Sequence, residues 1–395
     1  MTSLTATKTA DGLIDPKLVL AWLLNTLGAP GYLIGLLVPV REAGALLPQL
    51  LIARQIERST RRKYFWSAGA AGQGLASLGM AAAAVMLSDA AAGWSIVICL
   101  AFLAVARSAC SASHKDVLAR TVEKGQRGRV SGAAGTLSAV AVLAFALGLA
   151  TGVIPRSPSV VATAIAVAGL LWLCAAAIFS MLREKADRDA DADDRSLHSL
   201  LQPLQEDAEL RTYIATRALL ISTALAPPFL VLLGSGDTDT FGNLGLLMLA
   251  SSFAAILSSY IWGVFADSSS RKTLMVAGVI ATATFALAAI LAFSRGTITN
   301  GFVLAGLVFI AQLAYHGARA GRKTHLTDMD TGGRKATYTA LSNSVIGLLL
   351  LTGGLLGLLA DLAGAKTVLA VLAILSGLSV GVAYRLSEVQ SEDTA

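Results

Sequence analysis

Charge is scarce in this chain. Of its 395 residues 14% are Asp, Glu, Lys or Arg, against 55% hydrophobic, and the mean hydropathy is +0.68. A soluble domain is about a quarter charged, so this chain lacks the polar side chains to cover a water-exposed surface of its size. That excludes a soluble enzyme and, despite a pI near 9.3, a nucleic-acid binder; the abundant apolar surface excludes a disordered chain. Cysteine is equally sparse: Cys99, Cys110 and Cys174 lie in apolar stretches with no CxxC spacing, which offers neither a disulfide framework nor a metal site. Aromatics make up 6%, few for the stacking platforms of a sugar transporter. Residues 1–17 are polar, so no cleaved leader is expected. No nucleotide-binding domain accompanies the apolar segments. Gly69-x-x-Gly72-x-Gly74 follows no strand and is read as helix packing, not a phosphate loop. No metal cluster or nucleophile constellation points to an enzyme, and no cofactor is expected.

What is present is a series of apolar runs of about 20 residues, the length of a membrane-spanning helix. They show no alternation of period two, which argues against barrel strands. The expected spans are 5–28, 30–56, 64–88, 93–118, 130–154, 159–182, 211–233, 242–266, 273–293, 301–326, 337–360 and 367–385. Hydropathy alone starts the first at Leu18. Its opening half carries Lys8, Asp11, Asp15 and Lys17, and the alternative is a short first helix behind a polar tail.

Lys and Arg gather in every second connection. The 2–3, 4–5, 6–7, 8–9 and 10–11 connections and the C-terminal tail hold 23 of the 31 basic residues, whereas the opposite loops hold Arg156, Arg295 and Lys366. The positive-inside rule then puts both termini in the cytoplasm and makes the helix number even, in a multi-pass protein of the inner (cytoplasmic) membrane. The charged segment 183–210 divides the chain, with a short amphipathic surface helix expected over 197–207.

The halves resemble each other at a shift of about 210 residues. LIDPKLVL (13–20) pairs with ALAPPFLV (224–231), ERSTRRK (57–63) with DSSSRKT (267–273), and HKDVLARTVEKG (114–125) with RKTHLTDMDTGG (322–333). An all-α membrane protein is predicted, with twelve transmembrane helices in two six-helix bundles of pseudo-two-fold symmetry, residues 1–182 and 211–395, joined by the cytoplasmic linker 183–210.

On these residues the chain resembles the major facilitator superfamily (MFS). That family's loop signature between helices 2 and 3, GxLaDRxGRR, is similar to the run from Gly263 through Asp267 to Arg271 and Lys272. A degraded first copy has Glu57, Arg58, Arg61 and Arg62, with Ala53 and Thr60 in the glycine places. Arg107 stands in helix 4 where the family has an Arg, and only Gly148 and Gly152 remain of the helix 5 motif. The resemblance implies alternating access, with helices 1, 4, 7 and 10 lining a cavity. An acid at one helix end can accept hydrogen bonds from another helix's N-terminal amides and pair with arginines. Asp267, paired with Arg271, and Glu57 are therefore expected to latch the cytoplasmic face.

Charges inside apolar segments cost about 3 kcal/mol or more each at a helix centre, so each is a functional candidate. The set is Asp15, Lys17, Arg41, Glu42, Arg107 and Arg217. Pairing Pro16 with Pro227 places Asp15 and Lys17 in helix 1. Sequence neighbours point about 100° apart on a helix, so Arg41 and Glu42 face different partners. Asn25, Gln312 and His316 join the expected substrate and proton pathway, with Ser222 and Thr223 as further polar candidates. Glycine pairs such as Gly353-Gly354 are packing and hinge candidates. Pro30, Pro39 and Pro48 are expected to kink helix 2, and Pro227-Pro228 helix 7. The net positive set favours an anionic or zwitterionic solute, and Asp15 or Glu42 is the expected proton carrier. The reading is a monomeric, proton-coupled secondary transporter of a small organic solute in a lipid bilayer. The alternatives are an exporter or flippase for a drug or lipid-like amphiphile, and a non-transporting assembly or sensor protein on the same fold.

Overall fold

The computed structural model describes residues 1–48, 63–121, 127–181, 197–234, 244–295, 298, 300–331 and 334–390. Among the described residues all regular structure is helical, and ten stretches are long and apolar enough to cross a bilayer. The chain divides into two compact units, Met1–Asp194 and Arg195–Ala395.

The first unit contains α1 (Thr2–Leu13), α2 (Val19–Thr26), α3 (Gly31–Leu46), α4 (Lys63–Met86), α5 (Asp89–Thr121), α6 (Arg127–Thr151) and α7 (Pro158–Ser180). The polar opening is not a tail: α1 is a regular helix that buries Leu4, Ala10 and Leu13 and packs on α6 and α7. The expected continuous first helix is interrupted at Ile14–Leu18. Pro16 lacks an N–H, and its ring disfavours helical geometry at Asp15. Asp15 restarts the chain: its carboxylate accepts the Lys17 amide at 2.7 Å, and its carbonyl accepts Val19 N at 2.9 Å. Pro30 sits at the N-cap of α3 instead of kinking it, while Pro39 lies inside that helix. The Arg156 side chain closes the far end of α6, donating to the carbonyls of Leu149 and Ala150 at 2.8 and 2.7 Å, where a cation complements the helix dipole.

The second unit contains α8 (Leu197–Glu206), α9 (Ala208–Leu219), α10 (Ile221–Leu233), α11 (Leu244–Ser268), α12 (Ser270–Arg295), α13 (Gly301–Asp328), α14 (Lys335–Thr352), α15 (Leu355–Ala363) and α16 (Ala365–Ala383). Asp207 caps α9 by accepting Glu209 N and Leu210 N. Pro227 and Pro228 both lie inside α10, and the break between α9 and α10 falls at Leu220. There Ser222 Oγ donates to the Leu219 carbonyl at 2.8 Å and Thr223 Oγ1 to that of Leu220 at 2.7 Å. The Leu220 carbonyl also accepts Thr223 N at 3.1 Å, so hydroxyls add to the main-chain bonds at this break. The span expected over 337–360 is divided at Gly353-Gly354, which separates α14 from α15.

The outer faces are oily. Phe302, Val153 and Leu362 are among many large apolar side chains left exposed, a surface that suits lipid. Inside, small residues let backbones meet. A Cβ on Gly74 of α4 would stand 2.8 Å from the Gly169 carbonyl oxygen of α7, and one on Gly169 would stand 2.9 Å from that of Gly74. Helix association in lipid rests on such close contacts. Gly74→Leu is expected to destabilise by about 1–3 kcal/mol through overpacking. Gly132→Ala, whose added Cβ has no neighbour within 4 Å, is the control. Thermal unfolding in detergent should show a Tm loss of several degrees for the first and none for the second.

Candidate functional site

Three helices of the first unit converge on one carboxylate. Asp11 Oδ1 of α1 accepts from Arg41 Nη2 of α3 at 3.1 Å and from Arg107 Nη1 of α5. The glycines explain the approach. Gly44, one turn beyond Arg41, would carry a Cβ only 2.8 Å from that of Ala104 on α5, one turn before Arg107. Gly12, next to Asp11, brings α1 equally close to Val142 of α6. The Arg41 side chain is 12% exposed, whereas those of Asp11 and Arg107 are 29% and 34% exposed, so one side of the cluster is accessible. The charge of Glu42 acts on both arginines. Arg41 therefore faces α1, and Glu42 joins the same field from an adjacent direction.

Asp11 is the functional residue that sequence reasoning missed. It was visible as one of four charges in the polar opening, but hydropathy started the helix after it. The signal that finds it is spacing: Leu4, Ala10 and Leu13 define a buried helical face. Including Asp11 lowers the net charge of the intramembrane set by one. Asp15, an expected proton carrier, accepts the Lys17 amide on its carboxylate at the turn. Lys17 is buried, and Asn25 is half-buried at the end of α2. A cavity of about 300 Å³ adjoins the cluster, with Asp11 and Arg107 in its wall.

In the second unit Arg217 is buried near the end of α9. Its Nη1 donates to Ser342 Oγ at 2.7 Å and its Nη2 to Asn343 Oδ1 at 2.9 Å, which ties α9 to α14. Gln312 is buried in α13, and His316 lies edge-on to Tyr315. Ser222 Oγ pairs with Ser376 Oγ at 2.7 Å.

Asp267 and Arg271, the expected latch pair, lie near the end of α11 and at the start of α12. Asp267 is exposed, and Arg271 Nε pairs with Glu388 Oε2 at 3.3 Å. Lys272 is exposed, with its amide on Ser269 Oγ, and Gly263 has open space beside it. Glu57, Arg58, Arg61 and Arg62 lie outside the described residues. Arg271 belongs to a network that sequence reasoning did not assemble. Glu209 Oε1 accepts from Ser387 N and Oγ at 3.0 and 2.8 Å and meets His325 Nε2 at 3.2 Å. His325, fully buried beside Tyr213, reaches Ser270 Oγ through Nδ1 at 3.0 Å. Gln390 accepts from Ser270 N and donates to Asp328. The segment after α16 is thereby clamped onto the ends of α9, α12 and α13.

No protein-family model matches this sequence, and no curated protein matches it. Solved structures do. A point variant of the nucleoside transporter NupG shares the fold at a TM-score of 0.76 and 12% identity, over 97% of this chain and 98% of that one. A second structure of NupG gives a TM-score of 0.69 at 13% identity, over 100% and 98%. The fold is that of a membrane transporter. With ten bilayer-length apolar helices among its described residues, this is a multi-pass membrane protein.

Removing one partner of a buried ion cluster leaves the others uncompensated, at a cost on the order of 3 kcal/mol. Asp11→Asn should lower the thermal midpoint of the purified protein by several degrees. Adding Arg41→Gln to it should recover part of the loss. A midpoint unchanged by Asp11→Asn would refute a coupled cluster.

Proposed function

We propose that this chain is a secondary active transporter of a small organic solute, working by alternating access and coupled to protons, on the architecture of the major facilitator superfamily. The observation that carries the reading is the Asp11–Arg41–Arg107 cluster. Charges in an apolar bundle are retained where a solute or ion path needs them, and this one is partly accessible beside a cavity. The whole-length likeness to a nucleoside transporter's fold supports it.

In this reading α1 with α2 forms one membrane pass and α3 another, which brings the ten long stretches to twelve passes. Two six-helix bundles, residues 1–182 and 211–395, flank the cytoplasmic linker. The basic connections lie in the cytoplasm with both termini, and the protein works as a monomer in the inner membrane. Lys17, Asn25, Arg217, Gln312 and His316 contribute to the solute path. Asp11 holds Arg41 and Arg107 until a solute anion or a proton competes for one side of the arrangement. Asp15 and Glu42 remain the carboxylates through which a proton couples. Gly263, Asp267, Arg271 and Lys272, with Glu57, Arg58, Arg61 and Arg62, form the cytoplasmic gate, and the Glu388 contact holds Arg271 on its own unit.

Proteoliposomes under an imposed pH gradient test this. Gradient-driven uptake is expected for at least one of a panel of labelled organic anions, zwitterions and nucleosides. Asp15→Asn or Glu42→Gln should abolish accumulation and spare exchange for whichever residue carries the proton. Equal loss of both activities would assign that residue to structural pairing. Asp267→Ala should slow turnover severalfold. Absence of gradient-dependent flux for the whole panel, from protein that remains folded, would sink the transport reading.

A further inference from the structure

The accessible wall of the cavity beside Asp11 is polar. It joins two helix faces of the first unit. On α1, Thr7 and Lys8 stand one turn before Asp11; on α5, Ser111 stands one turn after Arg107. Residues three and four apart share a helix face. Lys8 and Ser111 are exposed, and the side chains of Asp11 and Arg107 are 29% and 34% exposed. Trp66, Gln73, Cys110 and Trp172 are buried and form the floor. A solute in the open space therefore meets charges and hydroxyls, not rings.

The ion pairs leave part of this wall unused. Arg41 Nη2 and Arg107 Nη1 both donate to Asp11 Oδ1, so neither bond uses Oδ2. Arg107 commits one nitrogen of a fork of N–H donors, and its side chain is the most open of the three. Thr7 Oγ1 gives its hydrogen to the Leu4 carbonyl at 3.1 Å, so of the two hydroxyls Ser111 is the one that can donate. Lys8, Arg41 and Arg107 stand against Asp11 and Glu42, whose charge acts on both arginines. The positive excess of a single charge is balanced by a singly charged anion. Asp11 already accepts two guanidiniums. A further cation beside it meets their repulsion, whereas a neutral hydroxyl does not. About 300 Å³ equals the liquid volume of about ten waters at roughly 30 Å³ each, which holds a small acid and the waters it keeps.

We propose that this cavity binds a small α-hydroxy-carboxylate, with its acid group on Arg107 and Ser111 beside the charge of Lys8, and its hydroxyl donating to Asp11 Oδ2. The proposal names a substrate class for the transport reading and rests on that reading for its physiological role; the binding itself does not depend on flux. Asp11 then tells a hydroxy acid from an amino acid, because it still accepts a neutral donor but is already surrounded by cations.

Calorimetric titration of the full-length protein in detergent tests it. The probes are L-lactate, propionate and L-alanine, which carry a hydroxyl, a hydrogen or an ammonium beside the carboxylate. The wild type should bind L-lactate saturably and about five- to tenfold more tightly than propionate, the scale of a hydrogen bond to a charged group. L-Alanine should bind more weakly than propionate. Lys8→Gln should weaken L-lactate and propionate alike, by about two- to fivefold, as for a partly screened charge. Asp11→Leu combined with Arg41→Met removes an acid and a base together, and should bind L-lactate and propionate equally. If that double variant fails to fold, the wild-type probe series and Lys8→Gln carry the test. No saturable binding of L-lactate to the wild type would overturn the proposal. So would L-alanine binding as tightly as L-lactate, an affinity for L-lactate unchanged by Lys8→Gln, or a preference for L-lactate that survives in the folded double variant. L-Lactate binding as described without flux in proteoliposomes would leave the site standing and count against its transport role. Flux of another solute without L-lactate binding would overturn the site and leave the transport reading in place.

Discussion

One carboxylate held between two guanidiniums in a medium of low polarity organises the first unit. Inside an apolar bundle charges are stabilised largely by one another, and the two arginines share one carboxylate. Asp11 is on α1, Arg41 on α3 and Arg107 on α5. The polar opening of the chain is helical and packed because its acid is needed there. Gly12 lets α1 press on Val142 of α6, and Gly44 lets α3 press on Ala104 of α5.

The second unit solves its electrostatics differently. Arg217 is buried against the neutral oxygens of Ser342 and Asn343, and its carboxylates concentrate at helix ends. Asp207 caps α9 and receives the Tyr338 hydroxyl at 2.8 Å, while Glu209, Asp328 and Glu388 secure the final segment. The apolar residues Leu210, Tyr213, Met329, Tyr338 and Leu386 form one cluster beneath this polar layer. One unit therefore keeps a balanced charge cluster in its interior, and the other keeps its acids at the rim.

The helical class and most of the long spans were legible because apolar runs of bilayer length carry a strong signal. The paired glycines Gly353-Gly354 marked a hinge candidate inside a span expected to be continuous, and their weak helix preference divides it. Other features were not. The interruption at Leu220 depends on Ser222 and Thr223 turning back onto the main chain, and hydropathy cannot see a hydroxyl's orientation. Arg41 and Arg107 were marked by their cost in an apolar segment, but Asp11 sat among polar neighbours where it looked inexpensive. Arg271 was matched with Asp267 by proximity along the chain, whereas Glu388 reaches it by tertiary folding from over 100 residues away. Single buried charges are readable from sequence; their pairings are set in three dimensions.

The glycine contact between α4 and α7 has a mechanical consequence. At Gly74 and Gly169 each main chain rests on the other's carbonyl, with Leu173 and Leu78 packed alongside. That seam behaves as a weld. Compliance is left to the places where the helical ladder is already open, at Ile14–Leu18 in the same unit and at Leu220 and Gly353-Gly354 in the other. Each unit thus separates its stiff parts from its pliant ones along the chain, so a segment can pivot without the packing of its neighbours being undone.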